Sequence, residues 1–341
     1  MQSARLTIAA LIVMLASTSV DASDPKKTAL QEHYVLDRFR VFYTNDGNGA
    51  VTQDDVDKSG VPDQVENVAR QIWAAHHLYC NVLNFPDPFE SERYKGVTCI
   101  QVSLRDRNEM GGGNGIAFSS SQRARLIPEG KKEDRALVIA IASQVDPLNN
   151  VTPAHELFHL IQYGATYFKN PWYLEGLARW SEHGLGRDGI GDIKYSQQGP
   201  WPQNNQQFQQ MVKMKYDAEY ILWNPIAAST DRDGLLTDQM LGEELLSLQY
   251  CDGTPVLRDR LLQGSEVMRE ILIELGKQDD IAFEELKYEK WTAENQRAPG
   301  NAPYLYKGIM DALRRHVSDV GPYEIPNPDR STTGEATTKE K

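Results

Sequence analysis

The chain has 341 residues, 40% hydrophobic and 25% charged, enough to bury a large core in one or two domains. Its 48 acidic residues outnumber its 36 basic ones and leave a formal net charge of −12. With no basic stripe to neutralise phosphates, nucleic acid and anionic membrane surfaces are excluded as expected partners.

Residues 1–22 read as a signal peptide: Arg5 near the start, an apolar run from Leu6 to Ala16, then small residues around a cleavage site at Val20-Asp21-Ala22. The expected protein is therefore secreted or periplasmic, with no stable membrane anchor after cleavage. Three cysteines remain, Cys80, Cys99 and Cys251. An oxidising compartment permits one disulfide, and Cys80 with Cys99 is the expected pair; the spacing excludes a Cys-rich zinc site.

Tyr34 to Tyr43 alternates with period two and predicts one strand. Asp55, Asp57, Ser59, the Val61 carbonyl, Asp63 and Glu66 then follow the spacing of a calcium loop, with Gly60 at its sharp turn, and are candidate Ca2+ ligands. No helix precedes the loop, so a full EF-hand is not expected. The plainer alternative is an acidic turn capping the next helix. That helix, predicted over Pro62 to Val82, carries an apolar stripe on which His76 and His77 are read as structural, because adjacent residues point about 100° apart. Val97 to Leu104 and Gly115 to Ser119 predict strands, the second after glycines that let a backbone approach a ligand closely. Ala136 to Ala142 is an uninterrupted apolar run and predicts a central strand. The basic residues Arg123, Arg125, Lys131, Lys132 and Arg135 alternate with acids and read as a solvated loop.

The chemistry concentrates between Thr152 and Glu182. His155, Glu156 and His159 form H-E-x-x-H on a predicted helix. The four-residue spacing puts the two imidazoles about 40° apart around the axis and roughly 6 Å along it, so both reach one metal ion. Glu156 lies on the neighbouring face, where a carboxylate touches water activated at the metal without occupying a coordination position. A catalytic zinc needs a third protein ligand and keeps one position open. A second helix is predicted from Asn170, with Pro171 at its first position, and Glu175, Arg179 and Glu182 share one of its faces. The competing reading makes the histidines core residues and the second helix's charges an exposed ion-pair ladder.

The runs His155–His159 and Trp172–Glu182 resemble the gluzincin metallopeptidases, among them aminopeptidase N-like enzymes and clostridial collagenases, whose second helix carries a similar W-x-x-E-G-x-A pattern. The resemblance implies His155, His159 and Glu175 as Zn2+ ligands, Glu156 as general base and Glu182 as a carboxylate supporting a ligand from behind. It also implies an edge strand at Gly112 to Ala117 beside the cleft, and a Tyr or His oxyanion donor from the helical half. Tyr216 and Tyr220 are favoured by position, with Tyr163, Tyr195 and His183 also open. The Asp55–Glu66 loop is similar to isolated calcium loops of secreted bacterial metallopeptidases.

Beyond Gly186 a Gln-, Asn- and Pro-rich connection (195–207) leads to helices predicted over 208–222, 235–248, 254–262, 265–275, 281–297 and 305–317. The tail from Pro326 reads as disordered. The expected fold is α+β: a catalytic zincin-like domain over 23–186 with a mixed sheet and an active-site helix, a helical subdomain over 187–325, and a tail over 326–341. The expected activity is zinc-dependent hydrolysis of a peptide or protein substrate by an endopeptidase. The rival is a non-catalytic exported binding or adhesion protein with a structural metal.

Overall fold

A computed structural model describes residues 28–185, 202–258 and 260–318. The signal peptide, Tyr195, the start of the 195–207 connection and the tail lie outside the described residues. The fold is α+β, a five-stranded mixed sheet followed by a mostly helical half.

The sheet comprises β1 (Glu32–Leu36), β2 (Phe39–Tyr43), β3 (Val97–Arg105), β4 (Gly115–Arg123) and β5 (Arg135–Ala142), in the spatial order β1-β2-β3-β5-β4. The single strand predicted over Tyr34–Tyr43 is instead a hairpin, with Leu36 opposite Phe39. Asp37 makes the turn at φ 53°, a left-handed conformation that Asp tolerates and that no glycine announces. β2, β3 and β5 run parallel, and β4 returns antiparallel to β5 as an edge strand. The apolar run of β5 therefore lies between two neighbours, as expected of an uninterrupted hydrophobic strand.

Helices α1 (Asp63–His76) and α2 (Thr152–Ala165) pack side by side on one face of the sheet. α1 continues as a π-helical turn over His77–Val82, so the predicted span is covered. α2 is buried from Pro153 to Tyr163, enclosed by the sheet, α1, α3 (Pro171–Ser181) and α7 (Ser265–Glu285). The remaining helices are α4 (Asn205–Met211), α5 (Asn224–Thr230), α6 (Asp238–Ser247) and α8 (Ala302–Leu313). One hydrophobic core extends from Phe39 through Trp172, Trp180 and Trp223 to Leu313.

Three predicted helices do not form as drawn. The one over 208–222 is broken between the end of α4 and a π-helical segment over Glu219–Trp223. Residues 254–258 and 260–262 are not helical, and bridges join Gln249 to Pro255 and Leu235 to Leu261. The span 281–297 is divided: its first residues complete α7, which stops at Glu285, and Lys287 then takes a left-handed φ of 55°.

The predicted Cys80–Cys99 disulfide is corrected as well, because all three cysteines are free and buried. Strand alternation explains it. Ile100, Val102 and Leu104 face the helical core that contains Cys80. Cys99 points to the opposite face with Gln101, which bonds the Arg125 carbonyl there. The sheet thus stands between the two sulfurs. Thiol titration of the unfolded chain is expected to find three reactive thiols without reductant; one thiol would show that a bridge had formed.

Candidate metal centre

α2 begins where Asn150 Oδ1 accepts from the Thr152 amide, with Pro153 in its first turn, and it presents His155 and His159 on one side. Their rings lie 4.6 Å apart, centroid to centroid, at 87°. A short connection over residues 166–170 turns the chain into α3, whose amides at Tyr173 and Leu174 bond the Asn170 carbonyl. Gly176 lets Trp223 lie directly against α3, since a Cβ there would come within 2.7 Å of the indole Nε1. That close contact fixes α3 across α2, with Glu175 facing the histidines.

Glu175 Oε2 lies 3.3 Å from His155 Nε2 and 3.5 Å from His159 Nε2. Donor atoms around a tetrahedral zinc with bonds of about 2.0–2.1 Å sit about 3.3 Å apart. The Glu175 oxygen therefore stands from each imidazole nitrogen at the spacing of a coordination edge. The other ring nitrogens are occupied from behind. His155 Nδ1 is 2.8 Å from Glu182 Oε1, and His159 Nδ1 is 2.8 Å from Gln162 Oε1. Gln162 donates its amide to the Leu174 carbonyl, so its oxygen must be the atom facing His159, and His159 must carry its proton on Nδ1. Glu182, which also accepts from Arg179, can only accept from His155 in the same way. Both Nε2 atoms then face Glu175, placed to donate to its carboxylate or, on losing that proton to a metal, to offer a lone pair, the arrangement by which metal-ligating imidazoles are oriented.

Electrostatics agree with this geometry. Burial disfavours a charged His155, but the Glu175 and Glu182 carboxylates prevail and raise its pKa to about 10. Burial would raise Glu175, yet hydrogen bonds from both histidines hold it well below the usual carboxylate range. A cation in their midst would displace the shared proton. Lys215 pairs with the other oxygen of Glu175 at 3.2 Å.

Glu156 belongs to the same cluster: with His155 and His159 it offers donor atoms within 4.8 Å of one another. Burial raises its pKa, the histidines oppose the rise, and the backbone N–H of Ala117 on β4 bonds its carboxylate. Gly115 is needed for this approach, because a Cβ there would lie 2.5 Å from Glu156 Cγ and Oε1. The expected edge strand at Gly112 to Ala117 thus lies against the carboxylate.

The oxyanion candidates separate by their partners. His183 is buried and bonded to Glu219 at 2.8 Å. Tyr220 bonds Arg179. Tyr163 stacks on His159 with centroids 5.9 Å apart, and burial raises its pKa. Tyr216 is exposed beside Lys215, whose ammonium lies 4.4 Å from its ring centre. Tyr195 lies outside the described residues. Lys215 and Gln162 had been missed; Gln162 was readable as the i+3 neighbour of His159 on one helix face.

In the acidic loop, Asp55 accepts from the Ser59 and Gly60 amides, and Asp63 accepts from the Val56 amide. Ser59 Oγ bonds Glu66 at 3.0 Å and also reaches the Val61 carbonyl. Asp57, Asp63 and Glu66 converge with Cys251, their donor atoms within 4.8 Å, while Arg70 pairs with Asp57 and Glu66. Asp55 is not among the converging donors. Cys251 is an addition that sequence spacing does not reveal, whereas Arg70 was readable as the i+4 neighbour of Glu66. His76, Cys80 and Asp87 form a third such group, in which His76 pairs with Asp87 and Phe89 packs on the imidazole.

No protein-family model matches the chain, and no curated protein or solved structure matches it.

Replacing Glu182 by Gln, or Gln162 by Leu, is expected to weaken zinc affinity about 10- to 100-fold, measured by competition with a chelating dye. Glu175→Ala should weaken it further. Unchanged affinity in Glu175→Ala would mean that another residue is the third ligand.

Proposed function

We propose that the chain is an exported zinc-dependent peptidase of the gluzincin type, acting as an endopeptidase on peptides or proteins. The observation that carries this reading is the convergence of Glu175 Oε2 with two imidazole nitrogens of fixed tautomer, 3.3 and 3.5 Å away, next to a buried carboxylate that is not one of the three. His155, His159 and Glu175 would hold the metal. Zinc bound there supplies Lewis acidity that polarises a carbonyl and acidifies water.

The chain's own groups do the rest. Glu156 takes a proton from the attacking water and delivers it to the leaving nitrogen, and burial favours this by bringing its pKa up from the ordinary carboxylate range. Ala117 N–H and Gly115 keep the carboxylate on the β4 side of the cleft. Tyr216 with Lys215 donates to the developing oxyanion from the rim. A binding protein with a merely structural metal has no use for Glu156 in this position. Export is supported by the amino-terminal sequence, and among the described residues no helix is long and apolar enough to cross a membrane.

The Asp55–Glu66 loop we assign to Ca2+, with oxygen from Asp57, Ser59, Val61, Asp63 and Glu66 and with Asp55 bracing the turn.

Glu156→Gln is expected to retain zinc while lowering casein or peptide hydrolysis at least about 100-fold, and a chelator should abolish wild-type cleavage. A variant that cleaves like the parent ends the general-base assignment. Calcium is expected to raise the melting temperature of the wild type but not of Glu66→Gln; an equal shift in both would remove Ca2+ from this loop.

A further inference from the structure

Three cations act on one another beside the middle of β4, in a chain that is acidic overall. Lys169 is 94% buried by residue, its own exposure being 6%, and its ammonium bonds Ser119 Oγ on β4 and lies 4.8 Å from the centre of the Tyr163 ring. Arg93 stacks on Tyr167 at 3.4 Å, and its Nη1 is buried with no hydrogen-bond partner. Arg297 is exposed and bonds only the Ala293 carbonyl through its side chain. Among the described residues, none of the three forms an ion pair. Asp279, on which Arg93 acts electrostatically, already accepts from Thr166 Oγ1 and the Tyr167 amide.

The cluster is adjacent to the metal centre. Tyr163, against which Lys169 lies, stacks on His159. Ser119 is two residues along the edge strand from Ala117, which holds Glu156, and two strand residues span about 7 Å. It also stands at the irregularity where β4 loses register with β5 between Phe118 and Gln122, the kind of bulge that re-aims a side chain. A chain lying extended along β4 with its reacting carbonyl near Glu156 would bring a group about two residues away to Lys169.

We infer that Arg93, Lys169 and Arg297 form a subsite for a carboxylate of the peptide substrate, borne either by an acidic side chain near the scissile bond or by the chain's carboxyl terminus. This deepens the peptidase reading and rests on it for the identity of the ligand. The physical reason is the unmet charge. Burial together with the charges of Arg297 and Arg93 lowers the Lys169 pKa to about 7, so an arriving carboxylate restores the ammonium and pairs with it. Arg93 Nη1 supplies a donor now unused, and the exposed Arg297 opens the cluster to solvent.

The test measures binding by calorimetry to the zinc-loaded wild-type protein. One set of probes is an acetylated, amidated alanine hexapeptide with Glu or Gln at each position in turn. A second pair, the all-alanine peptide as free acid and as amide, separates a terminal carboxylate from a side-chain one. The expected result is about ten- to a hundredfold tighter binding of the carboxylate member of one pair. That preference should fall to parity in Lys169→Met and in Arg297→Gln, the second being a surface change that does not threaten folding. Equal binding within both pairs, including no binding at all, overturns the subsite, as does a preference that survives in Arg297→Gln. Discrimination without hydrolysis of any peptide would instead remove the peptidase reading and leave the subsite standing; hydrolysis without discrimination does the reverse.

Discussion

The centre depends on two hydrogen bonds that touch neither substrate nor metal: those from His155 Nδ1 to Glu182 and from His159 Nδ1 to Gln162. An imidazole that is free to choose its tautomer presents a lone pair or a proton on either nitrogen. Here each choice is made by α3. Its backbone carbonyl at Leu174 orients Gln162, and Glu182, the residue directly after its last, accepts from His155. The crossing of α2 and α3 therefore determines the chemistry of the site as well as its shape. Behind Glu182 the burial of charge is covered by further pairing: Arg179 bonds Glu182 and Glu219, and Glu219 in turn takes His183 and Asn224. Buried ions are tolerable when each has such partners, and removing one strands the rest.

Glu156 is held by a different principle. Among the described residues it forms no ion pair; its surroundings are the edge strand and the two histidines. A carboxylate in that setting is kept basic by burial and kept in position by one amide and by the missing side chain of Gly115. Any larger residue at 115 pushes on the carboxylate before it pushes on backbone. The glycines after Met110 consequently have unequal value: Gly111 and Gly112 turn the chain at positive φ with open space around them, while Gly115 makes room for the Glu156 carboxylate.

The parts of the molecule legible in the sequence are those governed by short-range periodicity. The spacing of His155, Glu156 and His159, the Asn170-Pro171 start of α3 and the apolar run of β5 each depend on neighbours a few residues away, and each element formed where the pattern put it, although the Asn170 side chain caps nothing and donates to the Arg297 and Ala298 carbonyls instead. What escaped depends on distant partners. The turn at Asp37 is invisible because its flanking residues alternate without a break across it. The cysteine pairing failed because strand alternation, which decides the facing of Cys99, had not been combined with the side of the sheet that the helices cover. Lys215 and Cys251 reach their sites from far along the chain, and no local pattern marks them, whereas Arg70 stands only four residues from Glu66 on α1. The long extents assigned to 254–262 and 281–297 arose because polar helix surfaces and irregular polar loops look alike until packing chooses between them.

The acidic loop and the metal centre are connected by α1, which gives the loop a reason to be stiff. Gln64, one residue into that helix, donates to the carbonyls of Ser143 and Val145 at the exit of β5. Gln71 donates to those of Pro147 and Asn150 and accepts from the Ala154 amide in the first turn of α2. The connection from β5 to α2 is thereby clamped at five points by two side chains of α1, and His155 and Glu156 begin immediately after the last of them. Glu66, on the turn of α1 between those glutamines, belongs to the loop cluster with Asp57 and Asp63. A cation that orders this cluster would restrain the start of α1 and, through Gln64 and Gln71, the start of α2. Losing it would loosen the first turn of α2, where His155 and Glu156 sit, before it reached Glu175 on α3.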